Sequence, residues 1–221
     1  MRLLAKALAK YLLGLALVSA LLFLPAGTLA YPGGWLFIGL LFLPMLLLGT
    51  VLFIKSPELL EKRLSAKEKE DTQKSVLALS ALLFIAGFVI AGLDHRYAWS
   101  RVPTWAAILA AAVLLISYAL YAEVMRENAY LSRTVEVQEG QQVVDTGLYG
   151  IVRHPMYAVT LWLFLSIPVV LGSWWSLLCF VPYAAILVLR IQNEEKVLTR
   201  GLPGYAEYKT RVKYRLIPFI W

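Results

Sequence analysis

Two clusters of polar residues in the C-terminal half of the chain carry side chains suited to chemistry. The first runs Asp145-Thr-Gly-Leu-Tyr-Gly-Ile-Val-Arg-His-Pro-Met-Tyr157, and the second runs Arg190-Ile-Gln-Asn-Glu-Glu195 and continues to Gly204-Tyr-Ala-Glu-Tyr208. Each adjoins a long apolar stretch, where polar groups cost free energy and are typically functional. Guanidinium, imidazole, phenol and carboxylate groups would form a binding site if the fold brings the two clusters together.

Taken one at a time, these residues also have structural interpretations. Pro155 suits the first turn of a helix, Arg153 suits an anchor at the membrane surface, and the tyrosines suit an interfacial aromatic belt. Glu194 and Glu195 are expected at the end of a helix, where carboxylates oppose the dipole and require a positive partner. Arg153, Arg190 or a cationic ligand would supply that partner. The combination of the two clusters favours a binding site.

The elements that must position these clusters are membrane helices. Hydrophobic residues make up 60% of the chain and charged residues only 16%, against about 25% charged in a soluble domain. Four stretches, 11–54, 75–93, 102–122 and 155–189, contain no charged residue or histidine, and one span needs about 20 apolar residues. We predict an all-α polytopic membrane protein with about six helical segments at 3–24, 35–54, 75–93, 103–125, 156–171 and 174–191.

The last two segments are short and are separated only by Gly172 and Ser173, which predicts a tight C-terminal helical hairpin. The start of one arm then lies beside the end of the other, so the two polar clusters meet. We expect one membrane domain over 1–221, in which four apolar helices (1–125) support the long polar loop, the hairpin and the tail (126–221).

The distribution of positive charge predicts the orientation. Nineteen of the 21 Lys and Arg residues lie in the N-terminus, the 55–74 connector, the 126–154 loop and the 190–221 tail, and only Arg96 and Arg101 lie opposite. Positive loops stay cytoplasmic, so both termini and the polar clusters are expected there; in a bacterium the membrane would be the inner membrane. The N-terminus resembles a signal peptide, but we expect it to be the first span. The basic residues flank apolar segments, which indicates topology rather than nucleic-acid binding.

Other features exclude some chemistry and predict minor elements. A single cysteine, Cys179, and two distant histidines disfavour a metal site. Ser56 and Pro57 predict the start of a short helix lying on the bilayer surface. The valines of 135–144 predict a small β-hairpin in the long loop.

The polar clusters resemble the integral membrane methyltransferases of the isoprenylcysteine carboxyl methyltransferase and phospholipid methyltransferase superfamily. Four elements in order, in the C-terminal part of the chain, carry the resemblance: Arg153-His154-Pro155-Met156-Tyr157, Glu194-Glu195, Gly204-Tyr205-Ala206-Glu207-Tyr208, and the basic stretch from Lys209 to Pro218. One departure is Val159, where the family often has glycine.

The resemblance implies S-adenosylmethionine bound in a pocket at the cytoplasmic membrane boundary. Glu194 and Glu195 would take its ammonium group or ribose hydroxyls, and Arg153 or Arg190 would meet its carboxylate. The implied catalytic residues are Arg153, Arg190 and His154. The implied cofactor-binding residues are Tyr149, Arg153, His154, Pro155, Tyr157, Glu194, Glu195, Tyr205 and Tyr208.

The implied activity is methyl transfer at the membrane interface to a lipid-like or isoprenylcysteine-type acceptor, with membrane lipids as partners. Carboxylate O-methylation is favoured, and it needs no general base. Phospholipid N-methylation is an alternative in which His154 or a glutamate would be the base. Two further alternatives are an NADPH-dependent membrane reductase with the same hairpin and a small membrane transporter. Transporters usually place polar groups at the bilayer midplane, whereas here they gather at one boundary.

Overall fold

The chain folds into long apolar helices with short connections. The computed structural model describes residues 2–64, 71–131 and 135–221. In chain order the helices are α1 (Arg2–Ala26), α2 (Pro32–Lys55), α3 (Pro57–Leu64), α4 (Asp71–Tyr97), α5 (Thr104–Glu127), α6 (Pro155–Val170), α7 (Trp174–Phe180), α8 (Tyr183–Gly201) and α9 (Tyr205–Arg211), with a single 3₁₀ turn at Gly147–Gly150.

Among the described residues, five helical segments are long and apolar enough to cross a membrane. They are α1, α2, Ser75–Tyr97 of α4, α5, and Trp174–Gly201, which joins α7 and α8, while α6 is a shorter apolar helix. The described residues contain no strand, so the predicted all-α membrane fold is confirmed. The predicted β-hairpin at 135–144 is wrong, because Gln138 and Gln141 close only an isolated turn there.

The C-terminal hairpin forms as predicted, but its second arm is broken and longer. Gly172 has φ +81° and allows the tight turn, and the Ser173 side chain caps α7 by accepting from the Ser176 amide at 3.0 Å. The break between α7 and α8 contains Pro182, which has no amide hydrogen to donate. The arm then continues to Gly201, ten residues beyond the predicted end at 191.

Small residues let helices approach closely around α4. A Cβ at Gly92 would lie 2.5 Å from the Leu22 carbonyl oxygen of α1, and one at Gly87 would lie 2.4 Å from the Phe180 ring of α7. Glycine at these positions therefore permits close packing of the kind that holds membrane helices together.

The short helix α3 begins at Pro57 as predicted, but it packs against the protein. Leu59 and Leu60 are buried, and Arg63 donates to the Tyr121 hydroxyl of α5. The expectation that its apolar side lies on the bilayer is therefore wrong.

Different contacts hold the two ends of the bundle. At one end the buried Asp94 accepts from the Ser100 amide at 2.7 Å and from the hydroxyls of Ser100 and Ser173. This network joins the α4–α5 loop to the α6–α7 turn. The start of α6 and the last turns of α8 lie at the other end, where both polar clusters are found.

Candidate active site

The start of α6 is fixed to the C-terminal tail by backbone hydrogen bonds. The amide of Arg153 donates to the Tyr214 carbonyl and the amide of His154 donates to the Arg215 carbonyl, both at 2.9 Å. The Arg153 guanidinium adds bonds to the carbonyls of Val212 (2.7 Å) and Lys213 (2.9 Å). The tail and the Arg-His-Pro segment therefore form one unit.

Glu195 of α8 holds this unit against the second arm of the hairpin. Its Oε1 accepts from Arg153 Nε at 2.7 Å and lies 3.4 Å from His154 Nε2, while its Oε2 accepts from Arg215 Nε at 3.0 Å. Glu195 is only 4% exposed and Arg153 only 7%. A buried carboxylate therefore joins three cationic or protonatable groups from α6 and the tail.

Glu194, the neighbouring residue, points elsewhere. Its Oε2 accepts from the Tyr157 hydroxyl, and that same hydroxyl accepts from Arg190 Nε at 2.9 Å. The Arg190 guanidinium also lies 5.8 Å from the centre of the Tyr157 ring. One phenol therefore links a cation to a carboxylate.

Three tyrosines complete this part of the site. The Tyr208 hydroxyl donates to the Tyr149 carbonyl at 2.8 Å, and the Tyr149 hydroxyl accepts from Asn128 at 2.9 Å. The Tyr205 hydroxyl is buried and has no hydrogen-bond partner among the described residues. Burial raises the pKa of Tyr149 to about 12 and also raises the pKa of Tyr205 and Tyr208. All three phenols are therefore neutral at physiological pH.

These side chains surround a recess, which we call the polar recess. It is partly open to solvent, and both polar and apolar side chains line it. Nine of the ten predicted site residues line it: Tyr149, Arg153, His154, Pro155, Tyr157, Arg190, Glu194, Tyr205 and Tyr208.

Glu195 is the exception, because it lines a separate groove on the other side of α8. The two glutamates lie inside α8, which continues to Gly201. The expectation that they end a helix and oppose its dipole is therefore wrong. Arg153 and Arg215 neutralise the charge of Glu195. Glu194 and Glu195 face different surfaces because adjacent positions on a helix point about 100° apart.

The sequence interpretation missed the far wall of the recess. The loop after α5 and the end of α8 supply it, through Asn128, Tyr130, Leu131, Val135, Glu136, Gln141, Gln142, Val143, Val144, Leu198 and Leu202. Polar residues in a loop have no periodicity, so only their density between 126 and 144 could have pointed to them.

The fold and the recess define a polytopic membrane protein with a polar recess at one end of a helical hairpin. Its fold is similar to that of a eukaryotic intramembrane Ras methyltransferase, ICMT (isoprenylcysteine carboxyl methyltransferase), with a TM-score of 0.56 and 20% identity over 97% of this chain and 77% of that one. Residues 104–203 match the phospholipid methyltransferase family. The predicted resemblance to this superfamily of membrane methyltransferases is therefore confirmed.

Two curated relatives match part of the chain. A Δ14-sterol reductase, TM7SF2, of Mus musculus is 32% identical over 99 residues, and an uncharacterized protein, YpbQ, of Bacillus subtilis is 29% identical over 96 residues. These alignments cover 40% and 43% of this chain, and 22% and 57% of the relatives. The chain therefore spans less than two thirds of the length of either relative.

Proposed function

We propose that this integral membrane protein is an S-adenosylmethionine-dependent methyltransferase that acts at the membrane interface on a lipid-like acceptor. The observation that carries the proposal is the pairing of Arg190 and Glu194 across the Tyr157 hydroxyl in a tyrosine-lined recess. A zwitterionic ligand needs both signs of charge within a short distance, and this arrangement presents both.

The residues of the recess fit S-adenosylmethionine group by group. Arg190 is suited to the carboxylate and Glu194 to the ammonium group, while the faces of Tyr149 and Tyr208 favour a sulfonium by cation–π attraction. The unpartnered Tyr205 hydroxyl is a buried polar atom that a ligand would satisfy. When bound, this cofactor supplies an activated methyl group.

Arg153, His154 and Glu195 are then positioning residues. Their mutual bonds and the bonds of Arg153 to the tail carbonyls hold the start of α6 in place. In this role they fix the wall of the recess, and Pro155 begins the helix that carries Tyr157.

A carboxylate acceptor fits this site better than an amine. Methylation of an amine requires a base to remove a proton, and both candidate bases have other partners in this arrangement: Glu194 would take the ammonium group of the cofactor, and His154 lies 3.4 Å from Glu195. The chain's residues would then act by orienting the reactants and excluding water, and orientation alone can remove roughly 7–11 kcal/mol of barrier. We therefore propose O-methylation, with an isoprenylcysteine-type carboxylate as the first acceptor to test.

The charge distribution supports a cytoplasmic site. The recess is at the end of the bundle that carries the basic connector, loop and tail, and positive segments stay inside. We propose that both termini and the site face the cytoplasm.

The direct test is binding of S-adenosylmethionine to the purified protein by titration calorimetry. Glu194→Gln should weaken binding about tenfold or more, because it removes a charged hydrogen-bond acceptor. Glu207→Gln is the matched control, since Glu207 is an exposed carboxylate outside the recess. Equal affinities of the two variants would refute the assignment of Glu194.

A reductase is the second candidate, because part of the chain is similar to a sterol reductase. A parallel titration with NADPH separates the two, since binding of NADPH in place of S-adenosylmethionine would overturn the proposal.

The acceptor class can be identified by incubating the protein with methyl-labelled cofactor. Mass spectrometry of prenylcysteine, phospholipid and other lipid fractions then shows which of them carries the label.

A further inference from the structure

A groove on the opposite side of α8 from the polar recess is lined mainly by basic residues. Its lining residues are Gln192, Glu195, Lys196, Thr199, Arg200, Lys209 and Arg215. We call it the basic groove. It is concave, holds about 790 Å³ of empty space that is partly open to solvent, and shares Glu195 and Arg215 with the ion-pair network described above.

Three separate elements supply the basic groove. Positions 192, 195, 196 and 199 follow the spacing of one helix face, so α8 forms one wall. Lys209 comes from α9 and Arg215 from the tail. The cations are therefore brought together by tertiary packing and do not form a simple run in the sequence.

The charge of the basic groove is strongly unbalanced. Four lining residues are cationic, and the single lining carboxylate, Glu195, is already paired with Arg215 at 3.0 Å and with the buried Arg153 at 2.7 Å. Lys196 and Arg200 are exposed along the groove. Gln192 and Thr199 add neutral hydrogen-bonding groups between the cations.

We propose that the basic groove binds a phosphate group. Arginine and lysine are the side chains that bind phosphate oxygens, and basic pockets at the ends of membrane helices bind anionic lipid head groups. Two sources carry this chemistry: the head group of an anionic phospholipid in the surrounding bilayer, and a soluble phosphate compound.

The test compares lipid retention and phosphate binding by the purified full-length chain. Native mass spectrometry after exchange into mixed micelles measures whether phosphatidylglycerol is retained in preference to phosphatidylcholine. Inorganic phosphate, titrated against protein in phosphatidylcholine nanodiscs, tests the soluble source by thermal shift. Preference for phosphatidylglycerol assigns a lipid head group, whereas stabilisation by phosphate without that preference assigns a soluble ligand. If the protein shows neither a preference for phosphatidylglycerol nor stabilisation by phosphate, the proposal is overturned.

Matched variants localise the binding. Lys209→Gln removes one cation of the basic groove, and Lys213→Gln removes an exposed cation four residues later that does not line the groove. Lys209→Gln should weaken binding about fivefold, the usual effect of one basic residue near an anionic surface, and the pair Lys196→Gln and Arg200→Gln should weaken it further. Equal binding by Lys209→Gln and Lys213→Gln would overturn the assignment. Binding of S-adenosylmethionine, measured in the same variants, should be unchanged, so the outcome is independent of the proposed methyltransferase activity.

Discussion

Replacing Glu195 with glutamine removes the charge that holds the tail to the hairpin. The side chain keeps its shape, but Arg153, which is 7% exposed, loses its carboxylate partner at 2.7 Å. Removing one partner of a buried ion pair costs about 3–5 kcal/mol. The glutamine oxygen can still accept one hydrogen bond from Arg153, so we expect a loss of stability at the lower end of this range, about 3 kcal/mol. The bond to Arg215, whose side chain is 31% exposed, adds little because solvent screens it.

This loss should be visible in two measurements. In a chain of this size about 3 kcal/mol lowers the melting temperature by roughly 6–12 °C, which differential scanning fluorimetry in detergent detects. Hydrogen exchange should also quicken at the amides of Arg153 and His154, because their acceptors are the tail carbonyls of Tyr214 and Arg215.

Glu194→Gln is the matched control for this prediction. It removes the adjacent carboxylate, which accepts a hydrogen bond from Tyr157 in the polar recess. It should weaken cofactor binding while leaving exchange at Arg153 and His154 unchanged. A Glu195→Gln protein with unaltered melting temperature and unaltered exchange would refute the reasoning, as would the same loss of exchange protection in both variants.

Three further perturbations probe other parts of the molecule. Tyr205→Phe removes a buried hydroxyl that lacks a partner, so the ligand-free protein should be as stable as before or about 1 kcal/mol more stable, while titration shows weaker cofactor binding; unchanged affinity would contradict the role of that hydroxyl. Asp94→Asn disturbs the bonds to Ser100 and Ser173 at the far end of the bundle. Thermal unfolding should show that the free energy of unfolding falls by about 1–3 kcal/mol, while cofactor affinity is retained. A loss of affinity would contradict the separation of the two ends. Burial raises the pKa of Tyr149 to about 12, above the value near 10 of an unfolded chain. The neutral Tyr149 phenol therefore contributes fully to stability below about pH 10, and this contribution is lost as the pH rises through about 12. In a titration followed by phenolate absorbance, Tyr149→Phe should show one fewer tyrosine that ionises at high pH.

The helices and the clustering of the polar residues were predictable from the sequence. Uncharged stretches of about 20 residues have few stable alternatives to membrane helices, so most boundaries of α1 to α6 agree within a few residues. The turn at Gly172 and Ser173 forces the hairpin arms to return to the same end. Arg153 and Glu195 must then be neighbours, although 42 positions separate them.

The direction of individual side chains was decided only by tertiary structure. Nothing in the pair Glu194-Glu195 indicates that one faces the recess and the other the tail, because that depends on the rotation of α8 against α6. The tail is held through the backbone carbonyls of residues 212–215. Every residue has such a carbonyl group, so the side chains of this segment do not indicate the contact. The basic groove likewise needs α9 and the tail to pack beside α8. The sequence by itself determined which segments are apolar and which residues can do chemistry; packing decided which of those residues face the ligand and which hold the structure.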